Sequence, residues 1–225
     1  PSCSVDAMVL SGEASRFGRD NREYRIDMHV GCPVPKGTSK GGGAALPYQR
    51  RLISSIVSAE VEAAKPFGIP VTVKMRIGLD SDHQTYLETA KSAADLGVNW
   101  VALHARTAAQ MYEGKSDWQA ITRLVEHLKP TGVPVLGNGD IWSGVDGVAM
   151  VRQSGCAGVV VGRGCLGRPW LFRDLLAAFN GVDSLHLPTL YEVREIMYRH
   201  AELIVEYFES EERGCRDLRK HMAWY

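Results

Sequence analysis

The sequence has no apolar run approaching the roughly 18 residues that a transmembrane helix needs, so a membrane-spanning helix is excluded. Its opening segment also lacks the basic start and long apolar stretch of a secretory signal peptide. Lys and Arg together number 26, as do Asp and Glu, so no net charge attracts the whole chain to a polyanion. A nucleic-acid-binding role therefore has to rest on a local basic patch.

Cysteine is sparse, and its spacing excludes the common cysteine-based metal sites. The five cysteines form no C-x-x-C and no pair at zinc-ligand spacing, so we predict no metal centre. An odd number of cysteines without a secretion signal favours free thiols in a reducing compartment, which predicts a cytoplasmic protein. A functional cysteine in this chain is then expected to be a reactive thiol.

Short apolar segments alternate with longer segments of helical spacing from residue 26 onward. The predicted strands are 26–30, 70–76, 100–104, 134–136 and 158–161. The predicted helices between them are 46–64, 86–96, 118–128 and 145–153. This alternation predicts an α/β fold with a parallel sheet wrapped by helices. After a short helix at 169–179, Thr189 is expected to cap an all-helical tail that runs from Leu190 to Tyr225.

Polar and glycine-rich residues follow the predicted strands at their carboxyl ends, where barrels and open α/β sheets place their sites. The loops G-N-G-D-I (137–141) and V-V-V-G-R-G (159–164) follow consecutive strands. Glycines let backbone N–H groups approach an anion, and Arg163 adds positive charge. Together the two loops predict a phosphate site.

Four further side chains are candidates for the same edge. With the two-residue period of a strand, Lys74 and Arg76 share one face, and there they need an anionic ligand unless the strand is an exposed edge. His104 closes its strand, which favours a site residue over a core histidine. Cys32 follows the first strand, where its thiol can donate a proton or act as a nucleophile, although a buried structural cysteine is the usual alternative.

A basic run near the end of the chain is a candidate for such a local patch, and it has two interpretations. Its residues are Arg213, Arg216, Arg219 and Lys220. Their spacing puts them along one side of a helix. The run is either a solvated helix face or a polyanion-binding surface.

Several motifs resemble the tRNA-dihydrouridine synthase family, in order and at family-like spacing. They are D-M-H-V-G-C-P (27–33), G-G-G-A-A-L (41–46), V-T-V-K-M-R-I-G (71–78), L-H-A-R-T (103–107), Q-M-Y-E-G-K-S-D-W (110–118), G-N-G-D-I (137–141) and V-V-G-R-G-C-L-G-R-P-W-L-F (160–172). The likeness is to the bacterial branch with the triple-glycine loop, and it runs from about residue 26 to the C-terminus.

The resemblance implies an FMN-binding TIM (β/α)8 barrel followed by a helical tRNA-binding domain. Members of the family reduce the C5–C6 bond of a tRNA uridine: FMN, reduced by NADPH or NADH, gives a hydride to C6, and a cysteine gives a proton to C5. Cys32 would be that proton donor. The flavin would contact Lys74, His104, Asn138, Gly139, Asp140, Gly162 and Arg163. Arg76, Arg106 and Gln110 would contact the substrate or support the residues that do. The tRNA would contact the basic helix through Arg219 and Lys220.

The same resemblance predicts where the chain divides. We expect a partial barrel of about five β/α units over residues 1–185 and the start of the helical domain over 186–225. The family's first barrel strands, with their Pro-Met motif, have no match in residues 1–25, where at most one strand is expected at Val5–Leu10. We therefore expect either a fragment shortened at both ends or a chain whose upstream sequence has been replaced.

Two other hypotheses remain open at this stage. The first is another FMN-dependent barrel oxidoreductase of the dihydroorotate dehydrogenase type, which would not need the basic helical tail. The second is an inactive fragment that binds RNA, because barrel strands are absent and the net charge is zero. Two observations separate the three hypotheses: whether the protein has a visible flavin spectrum, and whether tRNA or a small enone reoxidises the flavin.

Overall fold

The computed structural model describes residues 25–182 and 187–225. These residues form two compact units. The first comprises Met150–Val160 with the described residues up to Gly139, and the second comprises Asp140–Ala149 with the described residues from Val161 onward. The predicted strand Val5–Leu10 and the predicted domain boundary between residues 185 and 186 lie outside the described residues, so that domain division stays a prediction.

Five parallel strands form the sheet of the first unit, and their spatial order is their order in the chain. They are β1 (Ile26–His29), β2 (Val71–Arg76), β3 (Trp100–His104), β4 (Val135–Asn138) and β5 (Gly158–Val160). Strands that pair with the next strand along the chain, each after a helical crossover, are the arrangement of a (β/α) barrel segment. The predicted α/β fold is confirmed.

Eight helices accompany the strands in the described part of the chain. They are α1 (Pro35–Thr38), α2 (Arg50–Ala64), α3 (Tyr86–Asp95), α4 (Trp118–Leu128), α5 (Gly144–Ser154), α6 (Leu171–Phe179), α7 (Leu190–Phe208) and α8 (Glu211–Met222). The helix predicted from residue 46 begins only at Arg50, because the chain from Gly43 to Tyr48, with Pro47 inside it, forms a 3-10 turn. No described helix is long and apolar enough to cross a membrane.

The core of the first unit lies between the sheet and the apolar faces of its helices. Val73, Val101 and Leu103 are fully buried in β2 and β3. Ile121 and Leu124 are fully buried on α4, three residues apart on one side of the helix. Buried apolar residues on the helix-facing side of the strands are typical of a parallel sheet covered by helices.

The second unit contains the predicted helical tail. Thr189 caps α7 in a capping box with Glu192, so each side chain accepts from the backbone N–H of the other residue. The helix ends at Phe208, and its C-cap Glu209 has a left-handed φ of 48°. Ser210 then caps α8, which begins at Glu211. The tail therefore consists of two helices joined by a short turn.

Candidate active site

Three predicted site residues lie in one row across the carboxyl edge of the sheet. Arg76 pairs in register with His104, and His104 pairs with Asn138. Residues paired in this way point to the same face of a sheet. The exposed fractions of Arg76, His104 and Asn138 are only 5%, 8% and 8%. Three chain segments that are far apart in sequence thus bring buried polar side chains to one level of the sheet.

Lys74 lies on the same face, one register step below this row. It pairs with His29 on β1 and with Ala102 on β3. Burial and the positive charge of Arg76 lower the pKa of Lys74, and Asp27 opposes that shift. Among the described residues its ammonium group makes no hydrogen bond and no ion pair. A half-buried cation without a hydrogen bond or ion pair, near the carboxyl edge of a sheet, is suited to an anionic or electron-rich ligand.

His29 is a residue of this face that sequence reasoning missed. Burial lowers the pKa of its imidazole, and the charges of Lys74 and Arg76 lower it further. A histidine with a lowered pKa is neutral at neutral pH, so it can both donate and accept a hydrogen bond. Strand register places His29 beside Lys74, which a sequence pattern alone does not reveal.

Cys32 lies in the loop directly after β1, half-exposed, with a free thiol. Its carbonyl oxygen accepts a hydrogen bond from the backbone N–H of Ala44, at 2.9 Å. Gly43 has a left-handed φ of 52°, and a Cβ there would lie 2.5 Å from the Cys32 carbonyl oxygen. The third glycine of the triple-glycine loop therefore lets that loop pack directly against Cys32.

Backbone carbonyl oxygens hold Arg76, whereas the sequence led us to expect an anionic ligand as its partner. Its Nε donates to Gly31 O at 3.1 Å, and its Nη1 donates to Thr107 O and Met111 O at 2.8 and 2.9 Å. The ring of Tyr112 lies 5.7 Å from the guanidinium carbon, within cation–π range. These contacts join the loop after β1 to the loop after β3.

Arg106 has a similar environment in the loop after β3. Its side chain is 1% exposed, and it donates to Glu113 O at 3.2 Å and to Gly114 O at 2.7 Å. Within that loop the Gln110 side chain accepts from the Thr107 backbone N–H at 2.9 Å. Both predicted substrate-contacting arginines thus organise loop backbone at the carboxyl edge.

The end of β4 and the loop after it lie at the other end of the row of Arg76, His104 and Asn138. Asn138 donates through Nδ2 to Val160 O at 2.6 Å, which ties β4 to β5. Trp118 Nε1 donates to Gly139 O at 3.1 Å. A Cβ at Gly139 would lie 2.7 Å from Ser116 Cβ and 3.4 Å from His104 Cδ2, so only glycine fits beside His104 here. Sequence reasoning assigned no role to Trp118 or Ser116, although both stand in a quoted motif.

The remaining predicted flavin contacts belong to the second unit. Asp140 has a left-handed φ of 55°, which aspartate tolerates better than most residues. A Cβ at Gly162 would meet nothing within 4 Å. The Arg163 guanidinium lies 5.5 Å from the centre of the Trp142 ring. Glycine backbone next to a cation is a donor set that suits a phosphate.

The basic run occupies α8, and all four of its cations are exposed. Arg216 donates to Glu212 at 2.6 Å, and Lys220 pairs with Asp217. Arg213 and Arg219 make no ion pair with any described residue. Two of the four predicted surface cations are therefore paired with carboxylates of the same helix.

The arrangement at the sheet edge combines a thiol, a half-buried ammonium group, a histidine and an amide. A thiol can deliver a proton, and a fixed cation stabilises negative charge that develops on a bound group. No three His, Cys, Asp or Glu residues within 25–182 and 187–225 are grouped so that they could hold a metal ion. This donor set suits acid-assisted reduction of a substrate by a bound organic cofactor.

Comparison with known proteins identifies relatives over almost the whole chain. The family model described as dihydrouridine synthase (Dus) matches residues 5–225. A probable tRNA-dihydrouridine synthase of Mycobacterium tuberculosis is 55% identical over 222 residues, which are 99% of this chain and 56% of that protein. The tRNA-dihydrouridine synthase B of Vibrio parahaemolyticus is 36% identical over 217 residues, which are 96% of this chain and 65% of that protein. The chain thus spans a little over half the length of the first of these relatives.

Among solved structures, morphinone reductase in complex with tetrahydroNAD has the same fold. A variant of that enzyme superposes with a TM-score of 0.53 at 15% identity, and the match covers 84% of this chain and 51% of the reductase chain. At this identity the likeness concerns the fold alone. It agrees with the TIM-barrel architecture that the family resemblance implies and with the α/β fold predicted from the alternation of strands and helices.

Proposed function

Because the chain belongs to the dihydrouridine synthase family, we propose that the protein of which it forms a part is a tRNA-dihydrouridine synthase. The reaction is reduction of the C5–C6 bond of a uridine in tRNA. The observation that carries the proposal is the Cys32 thiol, half-exposed at the carboxyl edge of β1 beside the row of Arg76, His104 and Asn138. That edge is where barrel enzymes have their active sites.

FMN is the cofactor we propose for this edge, with NADPH or NADH as reductant. The residues fit such a group: Lys74 has a half-buried charge without a partner among the described residues, and Gly139 leaves no room for a Cβ beside His104. When bound, the flavin would supply hydride-transfer chemistry at this edge. Lys74 and His104 would hold its ring, and Asn138, Gly139, Asp140, Gly162 and Arg163 would hold its ribityl and phosphate end.

Cys32 is the proposed proton donor. Addition of a hydride at C6 leaves the electron pair of the C5–C6 bond at C5, and the thiol proton is transferred to that carbon. The resulting thiolate recovers its proton from solvent, so one nicotinamide hydride and one proton are consumed per uridine. Half-exposure of Cys32 supports this role, because a fully buried thiol could not reach a polynucleotide.

The proposed partner is tRNA, which α8 contacts through Arg219 and Lys220. Arg76 and Arg106 remain proposed substrate contacts, and the division into a partial barrel at 1–185 and a helical tRNA-binding domain from 186 remains a proposal as well. A cytoplasmic location agrees with the free thiols of the described cysteines.

The test is production of dihydrouridine by the full-length protein. With FMN, NADPH and unmodified tRNA, we expect dihydrouridine in the tRNA by mass spectrometry and a visible flavin spectrum in the purified protein. Rapid reoxidation by a small enone, with none by tRNA, would favour a small-molecule reductase instead. A colourless protein that yields no dihydrouridine would favour the inactive RNA-binding alternative.

A further inference from the structure

Arg76 connects the two loops that border Cys32. Its Nε donates to Gly31 O, the carbonyl of the peptide bond that joins Gly31 to Cys32, at 3.1 Å. Its Nη1 donates to Thr107 O and Met111 O in the loop after β3, at 2.8 and 2.9 Å. One guanidinium thus fixes the backbone immediately before the thiol relative to a neighbouring loop.

The surroundings of Arg76 make this connection rigid. The side chain is almost completely buried, and the ring of Tyr112 lies against its guanidinium. A Cβ at Gly31 would lie 3.2 Å from the Met75 carbonyl carbon, so the Gly31–Cys32 peptide rests directly on the end of β2. A planar guanidinium donates in several fixed directions from three nitrogens, whereas a lysine ammonium donates from one nitrogen only.

We propose that Arg76 is a positioning residue, which holds the Cys32 thiol at the place where it delivers its proton. This inference rests on the proposed function of Cys32. It differs from a substrate contact of Arg76, because here the side chain acts through the backbone of the Cys32 loop. A displacement of a reacting group by about 1 Å typically costs up to 100-fold in rate, so the effect is measurable.

The first test is kinetic and uses Arg76→Lys in the full-length holoenzyme. We expect kcat for tRNA reduction to fall about 10- to 100-fold with KM for tRNA unchanged, while flavin reduction by NADPH stays within about twofold. In a Cys32→Ala background, Arg76→Lys should add no further loss, because its only route to the chemistry has been removed. An equal loss in both backgrounds, or a raised KM with unchanged kcat, would overturn the proposal.

The second test reads the thiol itself and needs no activity. Iodoacetamide labelling, resolved by peptide mass spectrometry, gives the rate at Cys32 relative to the exposed Cys215 on α8 of the same molecule. Arg76→Lys keeps the charge but releases the loop, so we expect this ratio to rise severalfold. The matched control is Arg106→Lys, which frees Glu113 O and Gly114 O from an equally buried guanidinium and should leave the ratio unchanged.

The outcomes separate this inference from the proposed function. An inactive wild-type protein contradicts the function, while an unchanged labelling ratio in Arg76→Lys overturns the positioning role whether or not dihydrouridine is made. A ratio raised equally by Arg106→Lys also overturns it, since general loosening would then explain both. If Arg76→Lys does not fold, Arg76→Gln, which retains a single amide nitrogen as donor, undergoes the same labelling with the same expected rise.

Discussion

Lys74 carries a charge that its neighbours in the described part of the chain do not neutralise. Burial and Arg76 lower its pKa below the ordinary lysine value, which means that the fold favours the neutral amine. At neutral pH the ammonium form therefore reduces stability in the protein without cofactor. An anionic or electron-rich cofactor would reverse that cost, so the same residue should stabilise the holoenzyme.

Substitution of Lys74 by Met separates these two effects. Without flavin we expect Lys74→Met to be more stable than the wild type at pH 7, and the difference to narrow as pH rises toward 10.5. The sign follows because the unfolded chain binds the proton more tightly, so wild-type stability rises between the lowered pKa and 10.5. Flavin affinity should fall about tenfold or more, as for loss of a charge-assisted hydrogen bond.

Urea unfolding at pH 7 and pH 10 and flavin titration measure the two effects. Lys129→Met is the control, because Lys129 is exposed in the 3-10 turn between α4 and β4. It should change neither the stability without flavin nor the flavin affinity. A Lys74→Met protein that is less stable without flavin and binds it normally would remove Lys74 from the site.

Glu60 on α2 is a second residue whose environment disfavours its charge. Burial raises its pKa to about 7, and its Oε2 has no hydrogen-bond partner among the described residues. Since the folded state binds this proton more tightly, wild-type stability falls as pH rises from about 4.5 to 7. We expect Glu60→Gln to be more stable by about 1 kcal/mol at pH 8, after allowance for solvent screening, and equal at pH 4. Urea unfolding at both values checks this, and equal stability at pH 8 would contradict it.

At the scale of single residues, the sequence predicted positions better than partners. The period of a strand put Lys74 and Arg76 on one face, and register confirms that they share it with His29 and His104. The carbonyl partners of Arg76 were not predictable, because they lie 31 to 45 residues away in irregular loops. Their positions depend on tertiary packing that no local pattern encodes.

Among the loops, the triple-glycine segment is the one whose geometry bears most directly on Cys32. Position 43 requires glycine, because its φ is left-handed and because a Cβ there would lie too close to the Cys32 carbonyl oxygen. We expect Gly43→Ala to lower the free energy of unfolding by about 2 kcal/mol or more and to displace Cys32, with a loss of tRNA reduction.

Gly37→Ala is the matched control, since a Cβ there meets nothing within 4 Å. It should leave stability within about 0.5 kcal/mol and leave activity unchanged. Chemical denaturation and dihydrouridine yield measure both variants. Equal behaviour of the two alanine variants would mean that Gly43 does not fix the position of Cys32.

The strands and helices themselves were largely predictable because each has a clear apolar period. Trp100–His104 and Trp118–Leu128 begin and end where the pattern predicts. β4 extends two residues further than predicted, through Gly137 and Asn138, since glycine and asparagine are poor strand formers in isolation. This extension puts Asn138 in the sheet, in register with His104.

At the scale of the whole molecule, the absence of net charge limits nucleic-acid binding to local surfaces. On α8, Arg213 and Arg219 lack carboxylate partners among the described residues, whereas Arg216 is paired with Glu212. The double variant Arg213→Gln, Arg219→Gln should weaken tRNA binding severalfold and reduce the magnitude of the salt slope by about 2.

Arg216→Gln is the comparison, and it should have a smaller effect because Glu212 already offsets that charge. Fluorescence titrations of tRNA at several salt concentrations give both affinity and slope. An unchanged slope in the double variant would mean that α8 is a solvated face rather than part of the tRNA surface.

The overall architecture followed from the sequence because five successive β/α repeats permit few arrangements. The sequential, all-parallel strand order confirms it. The division of the described residues into two compact units did not follow, since Asp140–Ala149 groups with the residues after Val161 and no composition change marks that point.

Anaerobic stopped-flow with the full-length, pre-reduced holoenzyme tests the central claim, proton donation by Cys32 to a tRNA uridine, most directly. Flavin reoxidation by unmodified tRNA is followed for the wild type and for Cys32→Ala. We expect Cys32→Ala to slow this step about 100- to 1,000-fold, while reduction by NADPH stays within about twofold. Equal rates of reoxidation in the two proteins would contradict the account.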